Sequence, residues 1–348
     1  MAEQPIRIGF IGAGSICKSR HFPGLAKIAG VEIKTVCNRS EESSRRVAKE
    51  WSIPEIDTDW RQLLARDDLD AVFIGTWPYM HMEMSIAALE AGKHVFCQAR
   101  MAMDLAEAKA MVAAAEKYPG LVHMICPPPH RMPWEPYIKR MLDAGELGEV
   151  REVRAISLND ANLNPDRITW RERVEFSGKQ VLAAGIVAET LNAWVGEYET
   201  LNATTATPIP TKTDEDGKPY EIRIPQIAMM HGTLQSGAVI TEHHSGVSPH
   251  IKQNVISIVG SKGTLRVTPM QSIEFAKVSE ELKPVDVPES EQRDWHVEED
   301  FINAVRQAQA GESWHVSPDF HEGLKYMRKI EALHRAAETG KAVRVADL

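Results

Sequence analysis

The stretch Ile6–Cys17, "IRIGFIGAGSIC", decides the fold. Ile6 to Ile11 is apolar but for Arg7, the pattern of a short strand buried on both faces. It runs straight into Gly12-Ala13-Gly14. Glycines at a strand-to-helix turn let backbone N–H groups approach a ligand at the next helix's first turn, where unpaired amides and the helix dipole favour an anion. In the pattern G-x-G-x-x-G the third glycine is replaced here by Cys17, which is still small. A tight turn without ligand is the plainer account. The position of the turn, directly after the first strand, favours a dinucleotide pyrophosphate held by Gly12, Ala13, Gly14, Ser15 and Ile16.

Outward from this turn the chain alternates strand-like runs with amphipathic stretches. "VEIKTVCNRS", "DAVFIGTW", "HVFCQAR" and "LVHMICPPP" read as strands; "SEESSRRVAKEW", "MHMEMSIAALEAG" and "DLAEAKAMVAAAEKYPG" read as helices. Asp104 and Glu107 have the spacing of a capping box. Such alternation implies parallel strands joined by right-handed crossovers. The pattern changes at "CPPPHRMPW", whose consecutive prolines can extend neither a helix nor a central strand. After one helix, "PWEPYIKRMLDAGELG", strands dominate, with a hairpin signal at Asp216-Gly217 and glycine turns in "LQSGAV" and "VGSKGTLRV". Two helices close the chain. The expected architecture is an α/β Rossmann domain, a doubly wound parallel sheet, over residues 1–126. An α+β domain with an open, largely antiparallel sheet is expected over 127–348.

The chain has 348 residues and a formal net charge of −9, with 43% hydrophobic and 26% charged residues. An acidic balance argues against nucleic acid or an anionic membrane as main partner. No run approaches the roughly 20 apolar residues of a membrane span. "MAEQPIRIGF" lacks the basic region and apolar core of a secretion signal, so a cytoplasmic location is expected. Cys17, Cys37, Cys97 and Cys126 form no C-x-x-C pair, which suggests neither zinc nor a redox disulfide; no metal site is expected.

The end of the second strand bears on which dinucleotide binds. An acid there would hold the ribose hydroxyls of NAD. The residues are Asn38, Arg39 and Ser40. Arg39 can pair with a 2′-phosphate and Ser40 can donate to it, which favours NADP over NAD. Ser40 is equally suited to cap the next helix, and Glu41 and Glu42 in its first turn would repel a phosphate.

These stretches, with "AVFIGTWPYMHMEMSIAALEAGKHVFCQARMAMDLAEAKAMV", "GELGEV", "IVGSKGTLRV", "EEDFINAVR" and "ETGKAVRV", resemble the Gfo/Idh/MocA family over nearly the whole chain. The resemblance implies an NAD(P)-dependent oxidoreductase acting on a sugar, inositol or related polyol. It implies a homodimer or homotetramer assembled through the C-terminal sheet. It places Thr76, Trp77, Pro78, His81 and Gln98 on the cofactor side, His81 by opening the helix that follows. The family's E-K-P motif falls on Gln98, Ala99 and Arg100, so its lysine is Ala99. Its helix motif G-G-G-x-x-x-D-x-G-x-H-x-x-D falls on "SGKQVLAAGIVAET", which puts Ala183, Val187 and Thr190 where the family has Asp, His and Asp. The family's lysine, histidine and both aspartates are therefore absent.

Four residues are candidates to replace them. Arg100 follows the strand end and can steady an oxyanion, though it is a poor base. Lys179 shares a helical stripe with Ala183 and Val187 if that helix begins early. His130, after the fifth main strand, is a residue type whose unperturbed pKa suits proton transfer near neutrality. His244 lies with Glu242 on one face of a strand, Thr241 and His243 on the other; a sheet surface for subunit contact is the plainer account. Arg100, Arg131, Trp170, Arg171 and Glu242 are the candidate substrate contacts. With Arg167, Arg173 and Lys179 the arginines would make a basic pocket for an anionic carbohydrate. Three readings of function follow. The first is an oxidoreductase on a carbinol carbon of a sugar, sugar acid or polyol. The second is a lyase, hydrolase or isomerase that retains its nicotinamide and oxidises transiently. The third is a non-catalytic nucleotide or sugar sensor.

Overall fold

The computed structural model describes residues 4–348. The chain divides into two compact units: residues up to Pro127 with His296–Leu324, and Pro128–Trp295 with Lys325–Leu348. A single break after residue 126 therefore misses the return of the C-terminal segment to the first unit. Phe301 of that segment packs edge-on against Phe73 and Phe96, with centroids 5.3 and 5.6 Å apart.

The first unit holds β1 (Ile6–Ile11), β2 (Val31–Cys37), β3 (Glu55–Ile56), β4 (Ala71–Ile74), β5 (His94–Cys97) and β6 (His123–Ile125). Their order is β3-β2-β1-β4-β5-β6, and every pair is parallel. Ile8, Phe10, Val72, Val95 and Phe96 are fully buried, as strands covered on both faces must be. A helical run from Ser15 passes through a π-helical turn, Cys17–His21, into α1 (Phe22–Leu25). The crossovers are α2 (Glu41–Trp51), α3 (Trp60–Leu64), α4 (His81–Glu90) and α5 (Leu105–Ala115). Asp104 caps α5 by accepting from Glu107 N at 3.0 Å, but Glu107 reaches back one residue further than a capping box does, to Met103 N at 2.9 Å. Strand order reverses between β1 and β4, and the crevice at the carboxyl ends of such strands is where doubly wound sheets bind ligands.

The second unit begins with α6 (Glu135–Asp143), β7 (Val150–Leu158), α7 (Val174–Ser177) and α8 (Ala184–Val195). Strands β8 (Tyr198–Ala206), β9 (Thr211–Thr213), β10 (Pro219–Glu221), β11 (Ile227–Leu234), β12 (Val239–Ser245) and β13 (Gln253–Gly260) follow. After β14 (Gly263–Thr268), β15 (Ser272–Lys277) and β16 (Lys283–Pro284), the chain runs through α9 (Val297–Gln309), which belongs to the first unit. It ends with α10 (Phe320–Thr339) and β17 (Val343–Arg344). Nine strands form one sheet, β16-β15-β14-β13-β7-β12-β11-β8-β17, antiparallel except for the β12–β7 pair. β9 and β10 pair separately across Gly217, whose φ is +76°. The sheet buries Val153, Met230, Ile240, Ile258 and Val267 with Val187, Leu191, Ile330 and Leu333. Its other face leaves Met229 and Val239 about half exposed, at 51% and 52%. No helix among the described residues is long and apolar enough to cross a membrane.

Candidate cofactor site and active-site residues

Three glycines at the ends of β1 and β4 are glycines for different reasons. Gly12 has φ +80°, and a Cβ there would lie 2.6 Å from Thr76 Cγ2. A Cβ on Gly75 would lie 2.4 Å from the Gly12 carbonyl oxygen and 2.6 Å from Cys17 Sγ. Cys17 thus fills the third glycine's place by packing, and burial pushes its thiol up to about 12, so it is inert. Gly14 differs from both: its φ is ordinary and a Cβ on it would meet nothing within 4 Å. Nothing among the described residues requires glycine there, whereas a ligand pressed against the backbone would.

Asn38 holds this loop. Its Oδ1 accepts from Ala13 N at 2.7 Å, its Nδ2 donates to Ser43 Oγ at 3.1 Å, and its backbone N donates to Ser44 Oγ at 2.8 Å. The Asn38 side chain, expected among the cofactor residues, is engaged in shaping the glycine turn. Ser40 is the N-cap of α2, accepting from Ser43 N at 3.3 Å. Glu41 is engaged by Arg45, whose Nε lies 2.8 Å from it. Arg39 is exposed and makes no ion pair among the described residues.

Beyond β4, Thr76 and Trp77 lead into a short turn, Pro78–Met80, and His81 opens α4. His81 is fully buried, with Nδ1 2.7 Å from Arg100 O and Nε2 3.0 Å from Thr76 O. It ties the residues after β4 to those after β5. Burial lowers its pKa, so the ring is neutral and its one N–H serves one carbonyl at a time. Gln98 N donates to Ile74 O at 2.9 Å. The Gln98 side chain contacts His21, whose Nδ1 lies 2.5 Å from Glu298 Oε1. Neither His21 nor Glu298 was singled out from sequence, since Glu298 lies 277 positions from its partner. Ala99 carries no proton-transfer group, and Arg100 is buried.

In the second unit, several sequence expectations need correction. α8 begins at Ala184, and Gly178 (φ +60°) and Leu182 (φ +45°) break the chain before it. Lys179 therefore shares no helical stripe with Ala183 and Val187. Its amine lies 2.7 Å from Glu331 Oε2, and its carbonyl accepts from His334 Nε2 at 2.7 Å. Glu242 and His244 do share a strand face, but it is the buried one. Glu242 Oε1 accepts from Lys329 Nζ at 2.6 Å and Tyr198 OH at 2.8 Å, and its Oε2 lies 2.9 Å from His244 Nε2. Burial acts to raise the Glu242 carboxyl, but Lys329 and His244 outweigh it and hold it at about 2. Both oxygens are engaged inside the unit, so the pair is neither a surface feature nor an open substrate contact.

The expectation of six cations free for an anion also needs correction. Arg131 is 2.7 Å from Glu135 and 3.5 Å from Glu189. Arg173 pairs with Glu215 and, at 3.5 Å, with Glu175. With Lys179, three of the six cations are already neutralised. Arg171 lies over the Trp170 ring at 4.3 Å, exposed and with no carboxylate in ion-pair range among the described residues. This loop is held by a buried pair not foreseen from sequence, Lys212–Glu172 at 2.7 Å, with Lys212 Nζ also donating to Asn162 O at 2.7 Å. His130 sits in the turn Pro129–Arg131, its Nε2 3.4 Å from Asn254 Nδ2. Its buried Nδ1 has no partner among the described residues, and burial lowers its pKa, which leaves the ring neutral.

Residues 6–125 match a family model described as "Oxidoreductase family, NAD-binding Rossmann fold", and 137–266 match one described as "GFO/IDH/MocA C-terminal domain". Levoglucosan dehydrogenase of Pseudarthrobacter phenanthrenivorans is 28% identical over 224 residues, 62% of this chain and 57% of that one. 4-carboxy-2-hydroxymuconate-6-semialdehyde dehydrogenase of Sphingobium sp. is 35% identical over 160 residues, 46% of this chain and 50% of that one. The matched stretch thus spans about half the length of these curated relatives. The solved structure of levoglucosan dehydrogenase with NADH and levoglucosan shares the fold, with a TM-score of 0.89 at 22% identity, covering 98% of this chain and all of that one.

Proposed function

The chain belongs to the Gfo/Idh/MocA oxidoreductase family, and on that premise we propose that it transfers a hydride between NAD(P) and a carbinol carbon of a sugar, sugar acid or polyol. The observation that carries this reading is Gly14, a glycine that no contact among the described residues demands, at the head of a helical run beside the strand-order reversal. Gly12, Ala13, Gly14, Ser15 and Ile16 would hold the pyrophosphate, Trp77 and Pro78 would border the nicotinamide ribose with Thr76 and Gln98 on the same side, and His81 supports them by opening the helix that follows. Bound there, the nicotinamide supplies the hydride exchange; the chain's own residues bind, orient and move the proton.

Arg39 favours NADP over NAD: it is an exposed cation with no ion pair among the described residues, and Arg45 offsets the acid two positions on, Glu41. His130 is the residue assigned to proton transfer, because Ala99, Ala183 and Val187 hold no exchangeable proton and His130 keeps an unengaged ring nitrogen. Arg171 is the anchor for an anionic substrate; the name of the Sphingobium relative's substrate includes a carboxyl group, which supports such chemistry. The half-exposed Met229 and Val239 on the open sheet face support self-association as a homodimer or homotetramer.

The test is incubation with NADPH or NADH and a panel of keto sugars and sugar acids, following reduced-nicotinamide absorbance and product together. Net oxidation with product formation is expected. Product without net cofactor change would instead assign the retained-nicotinamide reaction. Binding of sugars with no conversion would assign the sensor.

A further inference from the structure

We propose that Glu298 and His21 are positioning residues for the cofactor site, fixing the Gln98 amide through a chain of buried hydrogen bonds, Glu298–His21–Gln98. The assignment rests on the dinucleotide reading above. The chain joins three elements of the first unit: α9, the π-helical turn and the end of β5. Side-chain exposure is 1% for His21 and 2% for Glu298.

The hydrogen bonds fix each group in turn. Gln98 Oε1 lies 3.2 Å from the backbone N–H of Ala99, which can only donate, so this end of the amide is the carbonyl. The NH2 end then faces His21 Nε2. An NH2 group cannot share a contact with an N–H donor, so Nε2 must be the accepting nitrogen of a neutral ring. The ring proton then sits on Nδ1, where Glu298 Oε1 accepts it at 2.5 Å. A doubly protonated ring would set N–H against NH2. The amide would turn over, and the Ala99 N–H would lose its acceptor. The carboxylate thus sets the tautomer, the tautomer sets the amide, and the amide holds the turn after β5.

Gly24 is independent support. It lies within α1 with an ordinary φ, where glycine weakens a helix by about 1 kcal/mol relative to alanine. A Cβ on it would stand 2.5 Å from Glu298 Oε2 and 2.8 Å from Cδ. The glycine is accounted for by the seat of that carboxylate. Phe73 and Phe96 flank the His21 ring, with centroids 5.7 and 5.1 Å away, and exclude water from the chain.

The experiment pairs two readouts on the full chain. Ring-nitrogen NMR of histidine-labelled protein, with the His21 signal assigned by its loss in His21→Gln, reads the tautomer without any ligand. Fluorescence titration with NADH and NADPH reads affinity. The expected wild-type spectrum is the Nδ1–H tautomer. Glu298→Met and Gly24→Ala should mix the tautomers and weaken dinucleotide binding at least fivefold. Glu298→Gln, which keeps an acceptor for Nδ1–H, should restore both. Gln98→Leu, which leaves the His21–Glu298 pair in place, should weaken binding equally, and Gln98→Leu with Glu298→Met should be no worse than either alone. An imidazolium or Nε2–H signal in the wild type would overturn the assignment. So would variants of altered tautomer that bind as the wild type does, or losses that add in the double variant. A wild-type chain that binds neither NADH nor NADPH would overturn the dinucleotide reading itself, and the positioning role with it.

Discussion

Gly12 and Gly14 stand two positions apart, and sequence marks both without saying which one faces a ligand. The backbone separates them: Gly12 is held by φ +80° and by Thr76, Gly14 by nothing among the described residues. Gly12→Ala should therefore destabilise the fold by about 1–3 kcal/mol, the scale of an enforced strained conformation plus a backbone clash, read by denaturant titration. Asn38 shows the limit of reading single residues. Its identity was legible, but its engagement with Ala13 depends on how the turn folds back over β2. Arg39 was legible as a cation, and its exposure leaves it available. Arg39→Ala should weaken NADPH by roughly 1–3 kcal/mol and NADH by far less, the scale of a lost charged hydrogen bond. Equal loss for both dinucleotides would remove it from the 2′-phosphate.

At the scale of elements, periodicity was a good guide to faces and a poor one to ends. The alternation in "TEHHSG" put Glu242 and His244 together on a face, and they are. It could not show that this face meets α10, because Lys329 is 87 positions away. The start of α8 was misjudged because a turn at Gly178–Ala183 replaces the expected helical lead-in. Lys179→Met should accordingly change stability by about 1 kcal/mol or less, since Lys179 is itself exposed and Arg335 still pairs with Glu331, and leave kcat unchanged. Glu242→Leu, by contrast, strands Lys329 in the interior and should cost about 3–5 kcal/mol. Adding Lys329→Met should recover much of that loss in chemical denaturation. If the double variant is as unstable as Glu242→Leu, the ion pair is not what holds α10 to the sheet.

For the whole molecule, the alternation in the first third made the doubly wound sheet legible, and the prolines near residue 127 marked where the first unit pauses. The return of residues 296–324 was not legible, since an amphipathic helix reports that one face is buried but not against what. Buried neutral histidines should set the acid limit of the fold. Burial lowers His94 and His123 to about 4, so the unfolded chain binds their protons first, and stability falls as pH drops from 6.5 toward 4. His94 alone should contribute a loss of about 3 kcal/mol across that window. Glu242, held at about 2, loses its contribution between pH 4.5 and 2, mostly below that window. Urea unfolding in that upper window, repeated on His94→Gln, reads the histidine part. The most direct test of the account is a nicotinamide-fluorescence titration of the wild type and Gly14→Val with NADPH, each paired with a melting curve. Saturable wild-type binding is expected, weakened at least tenfold, about 1.4 kcal/mol, in Gly14→Val at an unchanged melting temperature. No binding by the wild type, or equal binding by the two, would contradict a dinucleotide seated on that glycine.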